Sequence, residues 1–150
     1  MDACFFIGLY DTSDQFHTVA RRQFENLFGG KSSRNVLVAP WPILYESLGT
    51  RQARNTVSTG LVRQHLTYLK INQQLLLLDD SAFRQKALDS HTDDARTLSL
   101  VDRVLRAMIE EKTALFDVLL TYNTRDFIDA CQVRGMTLLN EEIDEVQYAS

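Results

Sequence analysis

Apolar side chains recur along the chain in two alternating patterns. Spacings of three and four residues predict amphipathic helices over residues 12–30, 41–53, 58–70, 81–91, 99–112 and 125–135. Short, nearly continuous apolar runs are typical of buried strands, and such runs fall at residues 34–40, 73–80, 116–123 and 136–139. Strands that alternate with helices predict an α/β fold, with a mostly parallel central sheet flanked by helices on both faces.

Several residues mark where these elements begin and end. Thr12 or Ser13 is placed to cap the first of these helices, and the pair Gly29-Gly30 is placed to stop it. Pro42 suits the first turn of the next helix. Gly135 is expected to close the last helix before the final apolar run. The opening apolar run, "CFFIGLY", is assigned to no element on pattern alone.

Length and composition narrow the class of protein. The chain has 150 residues, of which 45% are apolar and 24% charged, so we expect one compact domain over residues 1–150. Its apolar runs are much shorter than the roughly 20 residues of a membrane-spanning helix, and no basic segment precedes the first one. We therefore predict a cytoplasmic protein with no membrane partner.

Cysteine usage and net charge add two limits. Cys4 and Cys131 lack the CxxC or histidine spacing of a zinc site and are too few for a disulfide framework, so we expect reduced thiols. The formal charge of −4 argues against a general polyanion-binding protein. A local basic surface remains compatible with that total.

Four polar side chains occupy positions that a parallel sheet brings together. Loops after the carboxyl ends of the strands converge on one crevice. Asp2 precedes the first apolar run, Glu46 lies early in a helix after a strand, Asp102 is in a first helical turn and Asn123 follows a strand. Such a group of carboxylates needs a cation, and oxygen ligands with few histidines indicate magnesium or manganese.

Each of these residues also has an ordinary structural explanation. Ser99 and Asp102 have the spacing of a helix capping box. Glu46 could be a half-exposed surface residue, and Asn123 could be a turn residue. Asp2 could be frayed, as chain termini often are. Pattern alone leaves these alternatives open.

Three motifs are spread in order over nearly the whole chain: "DACFFIGLYDTSDQFH", "LSLVDRVLRAMI" and "LLTYNTRDF". The first resembles the opening motif of VapC-like toxins of the PIN-domain family, the second resembles the motif of that family's fourth helix, and the third resembles the end of a later strand. The resemblance implies a PIN-like three-layer fold and a metal-dependent endoribonuclease, the toxin of a type II toxin–antitoxin pair. An RNA substrate, an antitoxin partner and a homodimer are implied in the same way.

The resemblance also assigns roles to residues. Asp2, Glu46 and Asp102 would be the acidic ligands of Mg²⁺ or Mn²⁺, with Asn123 at a position where some members have aspartate. Ser99 would bind water at the metal, and Asp126 would be a nearby reserve. Cys4 stands where the family usually has Thr, Ser or Asn, and Ala3 where it usually has Thr, so the resemblance does not imply hydroxyl support of Asp2 here.

Two further expectations concern the substrate surface and the chain start. Basic residues that could contact RNA phosphates, or be ordinary solvated residues, are Arg21, Arg22, Lys31, Arg34, Arg51 and Arg54. In the family pattern a strand precedes the first aspartate, whereas Met1 alone precedes Asp2 here. We expect either a start further upstream or a sheet without its central strand. The alternative function is a catalytically weakened PIN-fold binding or regulatory module.

Overall fold

A computed structural model describes residues 1–30, 33–49, 56–90, 97–113 and 116–142. Within these ranges the chain is a mixed α/β protein with short parallel strands. The helices are α1 (Ala3–Tyr10), α2 (His17–Phe28), α3 (Trp41–Gly49), α4 (Thr56–Ile71), α5 (Ser81–Ser90), α6 (Leu100–Glu110) and α7 (Thr124–Arg134). The strands are β1 (Leu37–Pro40), β2 (Leu75–Leu78), β3 (Val118–Leu120) and β4 (Thr137–Leu139).

The strands form two parallel pairs, whereas the sequence pattern predicts one continuous sheet. β1 pairs with β2, with Leu37 opposite Leu75, and β3 pairs with β4, with Val118 opposite Thr137. The first two residues of the chain lie between the pairs. The Met1 amino group donates to the Val38 carbonyl at 3.3 Å, and the Asp2 amide donates to the Leu120 carbonyl at 2.9 Å. Met1 and Asp2 thus connect the two pairs by hydrogen bonds. Because these two residues form no strand, the pairs do not join into one sheet.

Apolar clusters cover β3 on its two opposite faces. Leu119 packs with Leu105 and Ile109 of α6, whereas its neighbour Leu120 belongs to a cluster that contains Phe28 of α2. Successive residues of a strand point to opposite faces. Helices α2 and α6 therefore lie on opposite sides of this strand pair, as the pattern of near-continuous apolar strands predicts.

The opening apolar run folds as helix α1. Asp2 is its N-cap, and the Asp2 side chain accepts a hydrogen bond from the Ala3 amide. Phe5, Phe6 and Leu9 of this helix are buried. A helix with apolar residues around most of its circumference is stable only inside a core. Helix α1 therefore fixes the cap residue Asp2 rigidly against the sheet.

Helix α2 begins five residues later than the pattern predicts. Neither Thr12 nor Ser13 caps it: the helix starts at His17, and Phe16 at the N-cap makes no side-chain cap. Asp11 accepts from the Ser13 amide and Asp14 from the Phe16 amide. Aspartates that bond backbone amides two residues ahead favour turns over helix. The predicted ends at Gly29 and, for α7, at Gly135 are both confirmed as C-caps.

A guanidinium group joins the two helices that carry Asp102 and Asp126. Arg106 of α6 donates to both carboxylate oxygens of Asp129 on α7, at 2.7 and 2.6 Å, and to the Asp126 carbonyl at 2.9 Å. Such a bidentate pair is geometrically specific. The relative position of α6 and α7, and of their acidic side chains, is set in part by this contact.

No helix in the described ranges is both long and apolar enough to cross a bilayer. Cys4 and Cys131 are free thiols, as expected.

Two glycines provide a matched test of this backbone. Gly135 has φ of 66° at the end of α7, a left-handed conformation that costs an L-residue about 1 kcal/mol or more. Gly60 lies inside α4 with open space around its Cα, where alanine is favoured by up to about 1 kcal/mol. We expect Gly135→Ala to lower the urea midpoint and Gly60→Ala to raise it. Equal effects of the two substitutions would contradict these assignments.

Candidate functional site

Asp2 is the most constrained acidic residue of the predicted site. Its side chain is buried, with 3% of the residue exposed. One carboxylate oxygen accepts from the Ala3 amide at 2.6 Å. The other accepts from the Thr121 hydroxyl at 2.8 Å and from the Cys4 thiol at 2.9 Å. Asp2 is therefore an ordered residue, and the alternative of a frayed terminal aspartate is wrong.

Cys4 and Thr121 supply polar support for the Asp2 carboxylate. The resemblance to the PIN pattern left that support in question. Burial, followed by the negative charge of Asp2, raises the pKa of the Cys4 thiol to about 12. At neutral pH the thiol is therefore protonated and donates a hydrogen bond to the Asp2 carboxylate. The Thr121 hydroxyl also accepts a hydrogen bond from the backbone amide of Asn123 at 3.0 Å. Thr121 thus connects the N-terminal aspartate to the loop after β3.

Thr121 and Tyr122 are the residues that the sequence analysis missed. Tyr122 stacks on Phe16 with ring centroids 4.3 Å apart, and its hydroxyl donates to the buried Gln23 side chain at 2.9 Å. The Tyr122 amide donates to the Cys4 sulfur. The sequence signal for Thr121 was its position directly after β3 and two residues before Asn123. A hydroxyl group at the end of a strand can bond a residue at the end of a neighbouring segment, as Thr121 bonds Asp2.

Ser99 and Asp102 form the helix start that their spacing predicts. The Ser99 hydroxyl accepts from the Asp102 amide at 3.1 Å and donates to the Asp102 carboxylate at 2.7 Å. Ser99 is the N-cap of α6. The capping interpretation is confirmed, since both the hydroxyl and the backbone amide of Ser99 bond the Asp102 carboxyl group.

Asn123 and Asp126 are coupled at the start of α7. Asn123 is the N-cap position but makes no side-chain cap; its amide nitrogen donates instead to the Asp126 carboxylate. The Asp126 amide in turn donates to the Asn123 carbonyl at 3.3 Å. The reserve residue Asp126 is therefore bonded directly to a predicted site residue.

The carboxylates repel one another. Burial raises the pKa of Glu46, and the charges of Asp102 and Asp2 raise it further. Burial likewise raises the pKa of Asp102, with the charges of Asp2 and Asp126 adding to it and the Ser99 hydrogen bonds opposing it. The three predicted acidic ligands thus share one region of negative potential, although Glu46 itself remains exposed.

The arrangement is a set of neighbours rather than a closed coordination shell. In the part of the chain that the structure describes, no group of three His, Cys, Asp or Glu side chains is placed to hold a metal ion. Uncompensated charge among oxygen donors nevertheless fits a hard divalent cation, which would lower the repulsion between Glu46, Asp102 and Asp2. The charges and donor types fit the ion.

The basic residues predicted to contact RNA are dispersed. Arg21 forms an exposed ion pair with Glu25 on α2 at 2.9 Å, and Arg22, next to it, is also exposed. Arg34 precedes β1, whereas Asp2 bonds the last residue of β3. The predictions for Lys31, Arg51 and Arg54 fall outside the described residues.

No family model matches the chain, and neither a curated protein nor a solved structure is significantly similar to it.

Removing the Thr121 hydroxyl tests the support of Asp2. Thr121→Val keeps the shape but leaves a buried Asp2 oxygen and the Asn123 amide without this partner, which we expect to cost about 1–3 kcal/mol. Thr121→Ser keeps the hydroxyl and should retain most of the stability. Urea unfolding measures both variants; a Val variant as stable as the wild type would contradict the bonding described.

Asp102→Asn tests whether burial and the charges of Asp2 and Asp126 make the ionised Asp102 carboxylate unfavourable for stability. A carboxyl group whose pKa is raised on folding binds its proton more tightly in the folded state, so its contribution to stability falls as pH rises through the ordinary and then the raised pKa. At pH 7 the charge is therefore unfavourable. Because Asp102 is partly exposed, we expect neutralisation to add a few tenths of a kcal/mol to about 1 kcal/mol.

The gain should shrink toward pH 4, where the wild-type carboxyl group is increasingly protonated. Asp89→Asn is the matched control, since Asp89 is an exposed residue of α5 that accepts from Gln85. A destabilised Asp102→Asn protein at pH 7 would show that Asp102 acts mainly as a structural acceptor.

Proposed function

We propose that this protein is a metal-dependent endoribonuclease with a PIN-like three-layer fold, the toxin of a type II toxin–antitoxin pair. The observation that carries the proposal is the placement of Asp2, Glu46 and Asp102, which come from three distant parts of the sequence and lie near enough for the charges of Asp2 and Asp102 to add to the effect of burial in raising the pKa of Glu46. Clustered, repelling carboxylates are unfavourable for stability, and cation binding is a common reason for them.

The sequence motifs agree with this geometry. Asp2 lies where the first two residues of the chain contact β1 and β3. Asn123 and Asp126 follow β3. Such positions beyond the carboxyl ends of parallel strands are typical of binding sites in α/β proteins. The parallel strand pairs and the helices on opposite faces of β3 are compatible with a three-layer fold.

In this proposal Asp2, Glu46 and Asp102 hold Mg²⁺ or Mn²⁺. A divalent cation held by these residues would supply Lewis acidity, which would lower the pKa of a water for in-line attack on phosphorus and offset charge on the phosphate. Asp2 is held in place by Thr121 and Cys4, and Asp102 by the cap at Ser99. These contacts limit side-chain movement, which favours repeated binding of a cation in one geometry.

Asn123 and Asp126 have a supporting role. The side-chain amide of Asn123 donates a hydrogen bond to the Asp126 carboxylate. Asp126 contributes to the negative potential at Asp102. An amide in place of a fourth carboxylate lowers the total charge, so we expect three acids to dominate cation affinity and Asn123→Asp to increase it.

RNA cleavage and Mn²⁺ calorimetry test the proposal together. We expect the wild type to bind Mn²⁺ and to cleave single-stranded RNA in its presence, with cleavage stopped by excess EDTA and restored by added metal. Asp102→Asn should lower the cleavage rate at least a hundredfold while the protein stays folded. Asp89→Asn, on the exposed side of α5, should cleave RNA at the wild-type rate.

Other outcomes reject parts of the proposal. Mn²⁺ binding without cleavage would favour the binding or regulatory module, to which the amide at Asn123 also points. Cleavage that survives in Asp102→Asn would exclude Asp102 from the site. Absence of both binding and cleavage in folded protein would reject a metal-dependent nuclease.

A further inference from the structure

An exposed pair of aromatic rings lies on α3. Trp41 and Tyr45 are 43% and 73% exposed, and their ring centroids are 5.9 Å apart. The other side of the helix belongs to the core, where Ile43, Leu44 and Ser47 are buried. Single exposed apolar residues are common on protein surfaces. Two neighbouring aromatic rings that turn away from the core form a continuous apolar surface instead, which is typical of a binding site.

The aromatic pair lies at the end of the strands that carries the candidate site. Helix α3 begins at Trp41, directly after the last residue of β1. Glu46, one of the three clustered acids, is next to Tyr45 on the same helix. Loops and helix starts beyond the carboxyl ends of parallel strands converge on one crevice. A molecule that contacts Tyr45 would therefore lie beside the acidic region.

An arginine supplies positive charge next to the aromatic pair. Arg84 of α5 donates through Nε and Nη2 to the two carboxylate oxygens of Asp80, at 3.0 and 2.5 Å. Asp80 is fully buried, whereas the Arg84 side chain is 51% exposed. Hydrogen bonding to Asp80 raises the pKa of Arg84, and the electrostatic effect of nearby Tyr45 acts in the same direction. The guanidinium group is thus held near Tyr45, and neither bond to Asp80 engages its Nη1 nitrogen.

Aromatic rings beside a fixed guanidinium group match the chemistry of an unpaired nucleotide. The π face of a nucleobase stacks on tryptophan or tyrosine, and a phosphate accepts hydrogen bonds from a guanidinium group. A base inside a duplex is already stacked on its neighbours, so only a splayed-out or single-stranded nucleotide offers its face. Because the acidic region repels phosphates, contacts through base faces would add affinity that charge cannot supply there.

We propose that Trp41, Tyr45 and Arg84 form a binding site for unpaired nucleotides of RNA. A base would stack on the aromatic pair, and a phosphate of the same strand would bind Arg84. The choice of RNA rests on the proposed function, because Glu46 connects this surface to the acids assigned to cleavage. The site would favour single-stranded over double-stranded RNA and would discriminate weakly among bases, since every base has a π face.

The fluorescence of Trp41 reports on the site directly, since Trp41 is the only tryptophan of the chain. In EDTA, which prevents metal-dependent cleavage, we expect an unstructured single-stranded RNA oligonucleotide to quench its emission. The same strand in a duplex, or without its bases, should bind at least about tenfold more weakly. RNA that binds in this way but stays intact when Mn²⁺ is added would reject the proposed nuclease and still support this site.

Matched variants separate stacking from general surface contact. Tyr45→Leu should weaken binding of the single strand about fivefold or more, whereas Tyr45→Phe keeps the ring and should bind like the wild type. Tyr68→Leu is the control, since Tyr68 is 53% exposed on α4. Arg84→Gln should weaken binding and reduce its salt dependence. Arg63→Gln, at an exposed position of α4, should do neither.

Three results would overturn the proposal. Equal affinity of the Tyr45→Leu and Tyr68→Leu proteins would show that RNA does not stack on α3. Equal affinity for strands with and without bases would show that phosphates alone are bound. A wild type that is dimeric by light scattering, with Tyr45→Leu monomeric, would show that a second copy of the chain covers the aromatic pair instead.

Discussion

The hydrogen bonds of Met1 and Asp2 hold together the parts on which the candidate site depends. One backbone nitrogen reaches β1 and the next reaches β3, while the Asp2 side chain caps α1 and accepts from Thr121. A buried carboxylate is tolerated when its oxygens are bonded, and here three donors satisfy it. Met1 and Asp2 together thus connect the two strand pairs, and Asp2 also caps α1 and contributes charge to the acidic region.

The acidic region reflects a conflict between stability and binding. Asp102 and Glu46 lie where burial and neighbouring charges disfavour ionisation. Local contacts offset part of that cost: Ser99 bonds Asp102, Asn123 bonds Asp126, and Arg106 joins α6 to α7 through Asp129. In the proposed function, a divalent cation would offset the repulsion that these bonds leave.

Sequence reasoning predicted the elements well where periodicity and end signals agreed. Gly135 closes α7 and Ser99 caps α6 as their patterns indicate. It failed where a tertiary contact or a side-chain turn decided the outcome. Asp11 and Asp14 delay α2 through turns, and the two strand pairs are bridged by long-range bonds of Met1 and Asp2 that no local pattern encodes. Thr121 was missed because its partner is 119 residues away in sequence.

In the proposed site, Asp2, Glu46 and Asp102 together bind a divalent cation. Paramagnetic broadening by Mn²⁺ in amide NMR spectra locates such binding without requiring activity. Substoichiometric Mn²⁺ should broaden the resonances of Ala3, Asp102 and Asn123 first and leave that of Gly60 in α4 sharp, and Asp102→Asn should abolish the effect. Broadening centred elsewhere, or unchanged by Asp102→Asn, would contradict the claim.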